Sequence, residues 1–150
     1  METQTTQPII GKTFPDVVIP IIKQAKKSID IVVFDWRWYP DQVGSTIQRF
    51  NNAIINCAKK HIRVRVLTNS NQTQKLLSEF DIKTKKMQSK KLLHTKLMII
   101  DDKIAILGSH NYTMNAFTIN FEVSVVLTDP PTIKRFNKYF LNLLNISSKN

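Results

Sequence analysis

Cysteine, glycine, acidic charge and long apolar runs are all scarce in this chain. Cys57 is the single cysteine among 150 residues. No intrachain disulfide can form, and no Cys/His cluster has zinc spacing. The setting of Cys57, between Ala53-Ile54-Ile55-Asn56 and Ala58, reads as a helix face with a small buried thiol. No apolar run approaches the roughly 20 residues that cross a bilayer. The first seven residues, Met1-Glu2-Thr3-Gln4-Thr5-Thr6-Gln7, carry neither a basic region nor a hydrophobic segment. No secretory signal is therefore expected, and the cytoplasm is the expected compartment. Of the three glycines, Gly11 sits in Gly11-Lys12-Thr13, the end of a phosphate-binding loop. Thr6 stands where that loop needs its first glycine, which excludes it. Asp101-Asp102 is too little to hold magnesium, so neither metal nor cofactor is expected.

Basic charge is plentiful. Twenty-two Lys and Arg against eleven Asp and Glu leave a net charge of +11. Such an excess favours a polyanionic partner, with nucleic acid the first candidate and an anionic membrane surface the second. Lys83, Lys85, Lys86, Lys90 and Lys91 lie in one stretch that ends just before His94. A basic rim there would hold backbone phosphates.

Hydrophobic periodicity outlines one domain. Residues 1–12 read as a polar N-terminal tail and 13–150 as the folded unit. A helical stripe runs from Phe14 to Lys27, with a kink or a start expected near Pro20. Ile29 to Phe34 reads as a fully covered strand. Val43 to Lys60 is a second helix, Ile62 to Leu67 an alternating strand, Gln72 to Phe80 a short helix and Ile82 to Met87 a further strand. A hairpin follows, then a strand over Phe121–Leu127, then a helix opened by Pro130 and Pro131 and running to about Leu144. The alternation gives an α/β fold: one mixed sheet with helices on both faces.

The hairpin carries the chemistry. It reads His94-Thr95-Lys96-Leu97-Met98-Ile99-Ile100-Asp101, six residues, then Gly108-Ser109-His110-Asn111. Alternation puts His94 and Lys96 on one face. A two-residue turn would set His94 opposite Ser109, with Asn111 on the same face. A three-residue turn would set it opposite His110. Gly108 permits a close approach at the strand end. A neutral imidazole can attack phosphorus. Lys96, Ser109 and Asn111 can donate to phosphate oxygens and stabilise a five-coordinate transition state. Asp101 sits at the hairpin tip, about 20 Å of extended chain from His94, and reads as a turn residue.

The spaced set His94, Lys96, Asp101, Gly108, Ser109 and Asn111 fits H-x-K-x4-D-x6-G-S-x-N and resembles the signature of the phospholipase D superfamily. Tyr112-Thr113 and Asn120-Phe121-Glu122 resemble its small bacterial nuclease branch. The resemblance implies a metal-independent phosphodiesterase, most readily an endonuclease acting on DNA or RNA through a phosphohistidine. A phospholipid hydrolase of cardiolipin type, or a binding module with an inactive site, are the alternatives. It also implies that Glu122 orients the His94 imidazole, as the third member of a triad does.

The family uses two signatures in one site, and this chain has one. Its other histidines are His61, at a helix–strand junction, and His110, whose side chain could approach the site or face away. A homodimer with its two-fold axis through the active site is therefore expected. Trp36, Arg37 and Trp38 follow the first strand; they could stack on bases or pack the dimer interface.

Overall fold

The computed structural model describes residues 6–87 and 89–148. They form a seven-stranded mixed sheet with helices on both faces. The strands are β1 (Thr6–Ile10), β2 (Ser28–Val33), β3 (Arg63–Thr68), β4 (Lys83–Lys86), β5 (Lys96–Ile100), β6 (Ile104–Gly108) and β7 (Val123–Leu127). The helices are α1 (Phe14–Lys23), α2 (Thr46–Lys59), α3 (Asn71–Ser78), α4 (Met114–Thr118) and α5 (Pro130–Ser148). Across the sheet the order is β1-β7-β6-β5-β2-β3-β4.

The strand β2 is buried along its whole length, because layers cover both of its faces. Ile29, Ile31 and Val33 face a layer built on α1, α2 and α4, with Phe14, Phe50 and Phe117 at its centre. Val32, Leu67, Leu97 and Ile99 face α5 through Ile133 and Phe140. Ser45 caps α2 by accepting from the Gln48 N–H, and Ser70 caps α3 by accepting from the Thr73 N–H.

The tail reading is corrected, and of the two outcomes expected at Pro20 a helix start is excluded. Residues 6–10 are not a tail: they pair antiparallel with β7, from Thr6 opposite Leu127 to Ile10 opposite Val123. Polar Thr6 and Gln7 suit an exposed edge strand, and Ile9 anchors it in the core. Residues 1–5 of that expected tail lie outside the described residues. The first helix begins at Phe14 and passes through Pro20, which is exposed. Burial of Phe14, Val18 and Ile22 holds the helix despite the bond that proline cannot make.

Strand polarity positions the site. The strand β2 runs parallel to β3, and β3 to β4; β5 runs antiparallel to β2, and β6 antiparallel to β5. One edge of the sheet therefore collects the ends of β2, β3, β4 and β6 and the starts of β5 and β7. The opposite edge holds the β5–β6 turn, with Asp101.

Candidate active site

The hairpin closes with three residues. Ile100 pairs with Ile104, and the Lys103 N–H donates to the Ile100 carbonyl at 3.0 Å. Both Asp101 and Asp102 have positive φ, which aspartate tolerates better than most residues. This settles the register in favour of His110, not Ser109, as the residue opposite His94. The strand ladder ends before either histidine, and the two side chains part.

His110 is buried at 1% exposure. Its Nε2 donates to the Gly11 carbonyl at 2.8 Å, so its Nδ1, 2.7 Å from Ser124 Oγ, accepts from that hydroxyl. The ring stacks on Phe14 with centroids 4.5 Å apart. Burial lowers its pKa; the Gly11 bond and Glu122 oppose the shift without reversing it. His110 is a neutral core residue tying β6 to β7 and to the turn after β1. His61, exposed and with positive φ, ends α2 far along the chain from the hairpin.

His94 is exposed, two residues ahead of β5, with its ring 5.0 Å from that of Phe34. Lys96, on the first residue of β5, places Nζ 3.1 Å from Nδ1 and 3.2 Å from Nε2 of His94. Burial lowers the Lys96 pKa, and the nearby Glu122 carboxylate works against that shift. A phosphate entering here would meet a cation and an imidazole already in contact.

Ser109 and Glu122 form a second unit. Ser109 Oγ donates to Glu122 Oε1 at 2.9 Å and accepts from the Val123 N–H at 3.0 Å. The Ser109 N–H is also engaged, by the Val123 carbonyl. Within one chain, the Ser109 hydroxyl gives its one proton to Glu122. Glu122 meets Ser109 within its own chain, because it adjoins Val123, the residue that exchanges bonds with Ser109 just past the β6–β7 ladder.

Asn111 Oδ1 accepts from the Asp35 N–H at 3.1 Å, which fixes the amide and turns Nδ2 away with no partner among the described residues. Asn111 lies beside a polar cavity of about 490 Å³, lined by Asp35, Arg37, Tyr39, Asn115 and Asn120. Sequence spacing gave no signal of Asp35, whose backbone does this work. On the α5 side of the same strands, Thr95, Leu97, Leu107, Phe136 and Tyr139 line a cavity of about 500 Å³, with Arg135 beside them.

Asp101 lies at the far edge. Its carboxylate accepts from the N–H groups of Lys26, Lys27 and Ser28 at 2.7 to 3.1 Å. Partial burial pushes its pKa up, but these three bonds and Lys103 outweigh that and hold it low. It ties the α1–β2 turn to the hairpin. Gly108 is needed at the end of β6: an added Cβ would lie 2.3 Å from Ser124 Oγ and 2.4 Å from the Val123 carbonyl oxygen.

Among the expected binding residues, Trp36 is not available. It is 1% exposed, and its Nε1 donates to Asn51 Oδ1 at 2.7 Å. Its ring packs on Tyr112 and Trp38 because the chain turns back into the α2 layer after β2. Trp38 is half-buried against that layer. Arg37 is exposed and paired with Asp35 at 3.1 Å. Lys83, Lys85 and Lys86 lie on the edge strand β4, and Lys90 and Lys91 are exposed on the segment leading to His94. Asn69 pins that segment by donating to the Leu93 carbonyl at 3.1 Å.

An H-x-K histidine and lysine with G-S-x-N at one edge of a mixed sheet define a phospholipase D-like domain. A family model described as "Cardiolipin synthase, PLD-like domain" matches residues 18–144, and the chain belongs to this family within the phospholipase D superfamily. The chain is 28% identical over 122 residues to the mitochondrial cardiolipin hydrolase of Chlamydomonas reinhardtii, covering 77% of this chain and 51% of that one. It is 39% identical over 57 residues to a cardiolipin synthase of Staphylococcus aureus, of which it spans 12%. It thus matches only about half or less of the length of these curated relatives. Its fold is shared with NucT from Helicobacter pylori, at a TM-score of 0.78 and 24% identity over 93% of this chain and 95% of that one. Nuc from Salmonella typhimurium, a phospholipase D family member, gives 0.76 and 20% over the same shares. No helix among the described residues is long and apolar enough to cross a membrane.

Proposed function

We propose that the chain is a metal-independent phosphodiesterase, acting as a nuclease on DNA or RNA at a site shared by two copies. The observation that carries this reading is the convergence of His94, Lys96, Asn111 and Glu122 at one sheet edge with a single available histidine. His110, the one other histidine of the hairpin, is buried and bonded at both nitrogens.

In the proposed reaction the His94 imidazole of one copy attacks phosphorus. A P–N bond forms and the P–O ester bond breaks. His94 of the second copy gives its proton to the departing oxygen. That second imidazole then takes a proton from water as the water oxygen attacks phosphorus. The P–N bond breaks, and the first imidazole is released. Lys96 and Asn111 hold the nonbridging oxygens. Since Glu122 meets Ser109 within its own chain, its orienting role toward an imidazole falls across the two-fold axis.

The net charge of +11 and the lysines beside His94 support a polyanionic substrate. The names of the fold neighbours NucT and Nuc point the same way. A phospholipid substrate is the second reading. It is favoured by the largely apolar cavity beside Thr95 and by the resemblance to a cardiolipin hydrolase.

The test is incubation of wild type and His94→Ala with labelled single- and double-stranded DNA, RNA and cardiolipin vesicles, all in excess EDTA. Cleavage of nucleic acid by wild type alone supports the nuclease reading. Turnover of cardiolipin alone favours the lipid reading, and turnover by His94→Ala overturns the nucleophile.

A further inference from the structure

The cavity of about 490 Å³ beside Asn111 has no part in the proposed phosphoryl transfer, yet it is built on the same backbone. Its floor is the segment that follows β2. The Asp35 N–H donates to Asn111 Oδ1 at 3.1 Å. The Tyr112 N–H donates to the Asp35 carbonyl at 3.0 Å, and the Arg37 N–H to the Tyr112 carbonyl at 2.9 Å. These bonds fix the cavity relative to Asn111, a residue of the phosphate clamp. Asp35 and Arg37 project to one side, where Arg37 Nε meets the Asp35 carboxylate at 3.1 Å. Tyr39 forms a further wall, its hydroxyl accepting from the Met114 N–H at 3.0 Å. The Asn120 N–H donates to the Asn115 carbonyl at 2.9 Å, a turn that brings both exposed residues to the rim.

The chemistry of the lining selects the occupant. Asp35 is the only acidic side chain on it, and a carboxylate repels phosphate. The lysines that suit phosphates lie elsewhere, at Lys90 and Lys91 before His94. An acyl chain gains little from a carboxylate, a guanidinium and three carboxamides. A flat, uncharged group with hydrogen-bonding edges suits them, and a nucleobase is such a group. Among the bases, guanine alone presents two adjacent N–H donors on its Watson–Crick edge, at N1 and N2. A carboxylate accepts that pair with both oxygens. Adenine, cytosine, thymine and uracil each set an acceptor beside the donor on that edge, and a carboxylate repels it. An ionised carboxylate offers about four acceptor sites, so the Arg37 bond leaves both Asp35 oxygens available. The amides of Asn115 and Asn120 are donors for guanine O6 and N7.

We infer that this cavity is a base subsite that seats an unpaired guanine next to the scissile phosphate, with the Asp35 carboxylate as its specificity-determining group. This rests on the nuclease reading and names the substrate feature that the site reads. The Watson–Crick edge is free only in an unpaired strand, so single strands are the fitting probe. A site built to hydrogen-bond one edge rejects analogues that lack its donors, because its own polar groups are then left unpaired.

The experiment uses end-labelled single strands of DNA and RNA built from adenine and cytosine, with one central guanine or with inosine in its place. Cleavage positions and rates are mapped in excess EDTA for wild type, Asp35→Asn and Asn120→Ala. Inosine lacks the N2 amino group and keeps the rest of the edge. Wild type should cut beside guanine about tenfold or more faster than elsewhere, and inosine should lose most of that preference. Asp35→Asn should treat guanine and inosine alike, and Asn120→Ala should narrow the preference for guanine over adenine. A merely structural role would lower all cleavage together and leave these ratios in place. Asn120 is exposed, so its variant folds whether or not Asp35→Asn does. Even cutting at every position by wild type, or preference for another base, overturns the subsite and leaves the nuclease reading standing. A guanine preference that both variants keep overturns the assignment to this cavity. A wild type that cuts none of these strands and turns over cardiolipin vesicles overturns both the subsite and the nuclease reading.

Discussion

Ser109 Oγ donates to Glu122 Oε1 at 2.9 Å while it accepts from the Val123 N–H at 3.0 Å. One hydroxyl thus joins the end of β6, the start of β7 and the carboxylate of the site. Ser109→Ala frees the Glu122 carboxylate to rotate and leaves the Val123 N–H without this acceptor. Kinetics should show kcat down by roughly 10- to 100-fold with KM little changed. Stability should fall by about 1 kcal/mol. A large rise in KM with kcat intact would return Ser109 to direct phosphate contact.

His110 links pH to stability. Burial lowers its folded pKa below the unfolded value of about 6.5. The unfolded chain therefore binds more protons than the folded one as pH falls below that value. Stability from this residue is complete above about pH 6.5 and is lost as pH falls toward the folded pKa. Melting curves between about pH 7.5 and 5 should drop more steeply for wild type than for His110→Gln. The variant should be less stable at neutral pH yet cleave within a few-fold of wild type once folded. Complete loss of cleavage in a folded His110→Gln protein would make it the second catalytic histidine after all.

Asp101 belongs to the signature but not to the reaction edge. Asp101→Ala removes the acceptor of three backbone N–H groups and should cost about 1–3 kcal/mol. Because those bonds hold its pKa low, this stability is complete above the ordinary carboxylate range and is lost in acid as pH falls through the lowered pKa. Denaturant titration should show the change, while kcat per folded molecule stays the same.

The lysine margin should act on binding rather than chemistry. Replacing Lys83, Lys85 and Lys86 together by Gln should weaken nucleic-acid binding. The salt dependence of duplex affinity should become shallower by about 0.9 for each phosphate that the variant no longer neutralises. An unchanged salt slope would reduce these lysines to guardians of the exposed edge strand.

Much of this was written in patterns of short range. The apolar residues Ile29, Ile31, Val32 and Val33 mark a strand covered on both faces, and Pro130-Pro131 opens the last helix. The gapped signature placed His94, Lys96 and Asn111, and the structure gathers them at one edge. What stayed hidden depends on contacts distant in sequence. The hairpin register sets His110 opposite His94, yet its side chain turns into the core toward a carbonyl 99 residues away, that of Gly11. Trp36 looked like a stacking platform because nothing local shows that Asn51 receives its indole N–H. Thr6–Ile10 looked like a tail because an edge strand needs only one apolar anchor, Ile9. The Ser109–Glu122 bond required the β6–β7 ladder, which hydrophobic periodicity does not align.

The central claim is that one chain carries half a site. Wild type and His94→Ala chains are mixed in varied proportions, unfolded and refolded together so that subunits exchange, and assayed in excess EDTA. If every site needs His94 from both copies, activity follows the square of the wild-type fraction. A linear fall, with each wild-type chain keeping its full activity, would contradict the account.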